Sequence, residues 1–266
     1  MRSFPIIAIA ALLNLGWSAS ASASAPVPGS PAEIKVSALR DSDARNYKAI
    51  VAGLDAFDRH HGLAPAVEVL RFRIAPRRQS GAATAPSAHI VGDNGFSLRL
   101  AVDANGVFTA PRSQAALDAD AELVLDQKRR LHAAAPVVRT PGLPDNVRRL
   151  GDLRLECQVW MAIRKEEIGL LQALMVNGVL RQRDWCAFLD QERPGFAFDA
   201  LAPLAHATLR DGERSQALHV KGRSYRAPLH DPAWSDEALI ELGFDIAPAA
   251  DDALTGTAGE TPRTAP

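Results

Sequence analysis

Two cysteines, two tyrosines and four tryptophans are all that 266 residues contain of those types, and the charges almost cancel, with 30 Lys and Arg against 31 Asp and Glu. A net charge of −1 removes any general pull toward nucleic acid or an anionic membrane. The phosphate-cradling patterns GxxxxGK[ST] and GxGxxG are missing, which argues against nucleotide use. So are the GxSxG nucleophile elbow and the HExxH zinc motif. His60 and His61 are adjacent, and on a helix two adjacent imidazoles point about 100° apart, a poor start for one metal ion. No cofactor and no metal are expected. No apolar stretch is long enough to cross a bilayer, the run near the N-terminus included.

That run, Ile6 to Leu15, follows Arg2 and precedes Ala19-Ser20-Ala21 and Ala21-Ser22-Ala23, small-residue pairs of the kind a signal peptidase reads. Residues 1–23 are therefore expected to be a secretory signal and 24–41, rich in Pro, Ser and Ala, a linker. An exported chain with an even cysteine count favours a disulfide, Cys157 to Cys186. Closing that loop stabilises the fold by about 3.5 kcal/mol in a chain-entropy treatment.

From residue 42 the rhythm becomes regular. Tyr47, Ile50, Val51, Leu54 and Phe57 recur at helical spacing, with Asp41 or Ser42 as cap and Gly62 and Pro65 as stops. The period then falls to two in four runs: "VEVLRFRI", "FSLRLAVD", "DADAELVLD" and "GDLRLECQV". Strands with one apolar and one wet face imply antiparallel sheets. Asn94-Gly95 and Asn105-Gly106 bracket the second run as turn formers and suggest a β-meander. Beyond Val159 a helical hairpin is expected, its second helix pinned by Cys186. A hairpin turning at Lys221-Gly222 and a strand through Ile240, Leu242 and Phe244 follow. The tail 247–266 has no periodicity and reads as disordered.

The segments "GFSLRLAVDANGVFTAPR", "AELVLD" and "RRLGDLRLECQV" resemble small β-sandwich modules of the carboxypeptidase-regulatory or transthyretin-like type. The resemblance implies an immunoglobulin-like or prealbumin-like topology and carries no catalytic residue. The expected architecture is thus α+β. A helix and antiparallel sandwich occupy 42–160, and the helical hairpin with a small β element packs on it over 161–246.

Arginines dominate the wet faces. Arg71, Arg73 and Arg99 alternate with core residues, while Arg139, Arg148 and Arg149 flank "VVRTPGLPDNVRRLGD", a Pro- and Gly-stiffened connection of the kind that carries binding residues. If the strands are neighbours in one sheet, the first three give a basic face, and with the three that flank the connection they are the candidates for holding a polyanion, a glycan or an acidic partner protein through that face or the sandwich loops. The competing outcome is ion pairing with Asp118, Asp120, Glu122, Asp152 and Glu156. The chain reads as a non-catalytic, exported, periplasmic or secreted envelope module, with no nucleic-acid partner and no membrane span after signal removal. The alternative is a hydrolase using His206, His219 or His230 between the sandwich and the C-terminal region.

Overall fold

The helical spacing after residue 46 does make a helix, α1 (Tyr47–Arg59), which buries Tyr47, Ile50, Leu54 and Phe57. Its cap is Asn46, whose side chain accepts from the Lys48 amide at 2.8 Å. Ser42 does not serve, because Ser42–Asn46 is strand β1, paired antiparallel with β6 (Glu122–Lys128), and Asp41 lies outside the described residues. The computed structural model describes residues 42–76, 87–128, 132–169, 186 and 196–245. The expected signal, linker and tail lie outside these residues, as does most of the expected helical hairpin. The described residues all belong to one compact unit, Val36–Pro266. Among them no helix is long and apolar enough to cross a membrane.

Three of the four period-two runs are strands. They give β2 (Arg71–Pro76), β4 (Ser97–Leu100) and β6, joined by β3 (Ala88–Val91), β5 (Val107–Phe108) and β7 (His132–Val137), with the short helix α2 (Gln114–Asp118) between β5 and β6. Two antiparallel sheets result, in the orders β1-β6-β3-β4 and β5-β2-β7. Asn94 and Gly95, both at positive φ, turn β3 into β4. At the second Asn-Gly pair, Asp103 Oδ1 accepts from the amides of Asn105 and Val107. That turn does not continue a meander. β5 crosses to the other sheet, where Phe108 is buried against Phe72 with ring centroids 5.7 Å apart. Burying two aromatic rings outweighs local pairing with β4.

The fourth run is not a strand. "GDLRLECQV" lies inside α3 (Leu150–Ile168), entered directly from β8 (Val147–Arg149). Residues two apart on a helix lie about 200° around its axis, so a helix buried on opposite sides imitates strand alternation. Leu155, Val159 and Ile163 enter a first core with α1 and the two sheets. Leu150, Leu153 and Cys157 enter a second core. Gly53 lets α1 approach, since a Cβ there would sit 2.9 Å from Ile163 Cγ1. The third segment that carried the sandwich resemblance is therefore helical from Leu150 onward.

The second core is covered by β9 (Phe196–Asp199), β10 (Leu204–Asp211), β11 (Arg214–Ala217), β12 (Val220–Lys221), β13 (Ser224–Ala227) and β14 (Leu239–Phe244). Their sheets run β11-β10-β14-β8 and β12-β13-β9, again antiparallel. The Lys221-Gly222 hairpin and the strand burying Ile240 and Leu242 are as expected. The whole is α+β with mostly antiparallel sheets. The Cys157–Cys186 disulfide is formed, with Cα atoms 6.1 Å apart, and it ties residue 186 to helix α3 rather than to a strand.

Candidate functional site

Where α3 begins, arginines meet carboxylates. Arg149, only 7% exposed, donates through Nε and Nη2 to both oxygens of Glu237 and through Nη1 to the Leu63 carbonyl. Arg154 reaches Asp236 at 2.5 Å and the carbonyls of Leu229, Asp231 and Trp234. Arg148 Nη2 donates to Glu156 Oε2 at 3.1 Å and to the Val138 carbonyl at 3.0 Å. Glu156 also accepts from the Val138 amide, and Asp152 holds Thr140 through its amide and hydroxyl at 2.7 Å each. Burial pushes the Glu156 carboxyl above its ordinary range, and Arg148 pulls it back. Arg148 and Arg149, expected as binding residues, instead lock α3 to the chain on either side of it. A desolvated guanidinium needs a carboxylate, and here the fold supplies one. Arg99 stands apart too: it is exposed on β4, in the sheet that does not contain Arg71 and Arg73.

The other three do converge. Arg71, Arg73 and Arg139 line a cleft of about 430 Å³ whose apolar walls include Val69, Val107, Val137 and Leu143. Glu68 is the one acid among its described lining residues. The Pro- and Gly-stiffened connection forms one side, because Arg139 Nη2 donates to the carbonyls of Leu143 and Pro144 and curls the loop around itself. Burial, and after it the Arg148 guanidinium, moves Arg139 below its ordinary value; Asp145, 3.7 Å from its Nη2, and Asp152 partly offset this, and Arg73 adds the smallest part.

Arg73 is the anomaly. It alternates with the buried Phe72 and Ile74 on β2, is itself half-buried, and faces Arg139. Its side chain makes no hydrogen bond or ion pair among the described residues, and its Nε is buried without a partner. It also lines a second, larger cleft of about 750 Å³, together with Val137. That cleft lies between β7 and β9 and is edged by Trp160, Met161 and Phe196. Arg45 and Arg164 each stand 5.4 Å from the Trp160 ring. At its floor are Arg148 and Glu156; nearby Tyr225 is fully buried with an unpartnered hydroxyl, pushed up to about 12 by burial.

None of His206, His219 and His230 lines either cleft, and all three side chains are exposed. His61 Nε2 is taken up by the Val67 carbonyl at 2.8 Å. Among the described residues no three His, Cys, Asp or Glu side chains are grouped to hold a metal. Sequence reasoning passed over Trp160 and Phe196 because the first half of the helix that bears Trp160 was read as a sandwich strand, and the strand bearing Phe196 was not foreseen. Compared with protein-family models, with curated proteins and with solved structures, the chain finds no significant match.

Proposed function

We propose that this is a non-catalytic, exported binding module that receives the anionic group of a partner protein or glycan in the Arg71–Arg73–Arg139 cleft. The observation that carries the reading is Arg73: a half-buried guanidinium that shares its cleft with Arg71 and Arg139 and has no anion among the described residues. Such an arrangement raises the energy of the empty protein and is relieved when a carboxylate, sulfate or phosphate enters. Export is supported by the signal-like N-terminus and by the disulfide. The sheets β1-β6-β3-β4 and β5-β2-β7 around one core support an immunoglobulin-like or prealbumin-like sandwich as the finer class. No described geometry favours the histidine-based hydrolase.

Titration calorimetry with oligogalacturonate and with polyglutamate, at low and high salt, tests the reading. At least one probe binds, the affinity falls with salt, and Arg73→Gln weakens it by about tenfold, the worth of one charge-assisted hydrogen bond. Failure of both probes to bind at low salt, or undiminished binding by Arg73→Gln, would overturn it.

A further inference from the structure

Resting on that reading, we infer that the partner is an extended peptide segment carrying acidic and apolar residues, which adds as a strand to the edge of β9 with an acidic side chain at Arg73.

The larger cleft is lined by every residue from Phe196 to Leu201. A strand seen from its face presents alternate residues; presenting them all means that its hydrogen-bonding edge is turned to the space. β9 pairs with β13 on one side, and among the described residues no strand occupies the other. An open edge of this kind is the template used in strand addition.

The opposite wall is built differently. Ala135, Pro136 and Val137 of β7 also run consecutively along the cleft, yet that edge is closed. Pro136 has no amide hydrogen to offer. Arg45 Nη1 occupies the Ala134 carbonyl, Glu156 takes the Val138 amide, and Arg148 takes the Val138 carbonyl. A strand entering the cleft is therefore received from one side only.

Apolar and charged groups fit the same occupant. Of the three large apolar side chains exposed among the described residues, Leu201 (57%) borders the larger cleft and Val69 (50%) the smaller. They stand on either side of the shared Arg73. A glycan gains little from exposed aliphatic groups, whereas a peptide of alternating character covers them while its acid meets Arg73. Asp145 and Asp199 also line the larger cleft, so the preference for an acid is concentrated at Arg73 and the smaller cleft, where Arg71 and Arg139 add to it.

Fluorescence anisotropy with the disulfide-intact chain tests this, using a short labelled peptide of alternating glutamate and leucine. Two further copies are N-methylated, each on one of the two alternating sets of amides. The expected result is binding that one methylated copy loses and the other keeps. Arg73→Gln weakens it about tenfold. Leu201→Ser, at an exposed position, weakens it severalfold without changing the circular dichroism. Equal binding by all three peptides overturns strand addition. Arg73-dependent binding of oligogalacturonate with no binding of the peptide overturns the peptide assignment and leaves the anion site standing. Binding of neither overturns both.

Discussion

Two groups of arginines sit at opposite ends of the 138–149 connection and are treated in opposite ways. At the start of α3, Arg148, Arg149 and Arg154 each meet a carboxylate, Glu156, Glu237 and Asp236 respectively. Around the end of β2, Arg71, Arg73 and Arg139 line a cleft with Glu68 as the single described acid, and Arg73 has no partner among the described residues. Residue type is the same and solvent access is similar for Arg73 and Arg154. Arg139 itself has Asp145 at 3.7 Å, so what separates scaffold from site comes down to Arg73, to which no described acid comes.

The paired group gives the largest expected effect. Arg148→Met leaves Glu156 buried without its cation and should cost about 3–5 kcal/mol in urea unfolding. Replacing both partners together, Arg148→Met with Glu156→Leu, should recover most of that loss. If the single replacement is silent, the pair is no lock and the contrast with Arg73 disappears.

Next comes the staple on the same helix. Replacing Cys157 and Cys186 by alanine should lower stability by about 3.5 kcal/mol, less any native strain. Because Cys157 packs in the second core and Arg73 stands on β2 of the first, anion affinity should hold to within twofold by calorimetry. A parallel loss of affinity would show that the two regions are not independent.

A smaller effect depends on pH. The hydrogen bond from Arg149 holds the Glu237 carboxyl below its ordinary value. Both folded and unfolded forms are ionised at neutral pH, so the contribution is fully present there. It is lost as the pH falls through the lowered folded value, after the unfolded carboxyl has already taken its proton. Glu237 is exposed, so the contribution is modest and salt-sensitive. Glu237→Gln should flatten the acid limb of a stability-versus-pH curve. Glu156 titrates with the opposite sign: its carboxyl is raised by burial, and its contribution is lost as the pH rises through the folded value.

Much of the fold could be read from spacing wherever an element is buried on one side. α1, β2, β4 and β14 follow their periods, and the Lys221-Gly222 turn follows from its glycine, whereas β6 buries Leu123, Val124 and Leu125 in succession. α3 could not, since it is buried on two sides and shows a strand-like alternation. β7, "HAAAPV", has Val137 as its one branched residue and three alanines in place of the branched and aromatic residues that announce a strand, and its proline belongs to a closed edge. For the site, residue type was legible and pairing was not. Arg71, Arg73 and Arg139 stood out as candidates together with Arg148 and Arg149. Only the fold shows that the anion for Arg149 comes from 88 residues away and that none of the described acids comes to Arg73.

Arg73→Gln is the most direct test, because it asks whether the fold carries an unpaired charge for the sake of a ligand. Anion binding by the variant should fall about tenfold in calorimetry, while its urea unfolding without any anion stays within about 0.5 kcal/mol of the parent, because Arg73 gives up no partner among the described residues. A variant that is less stable than the parent by more than this, or that binds anions as well as the parent does, would contradict the account.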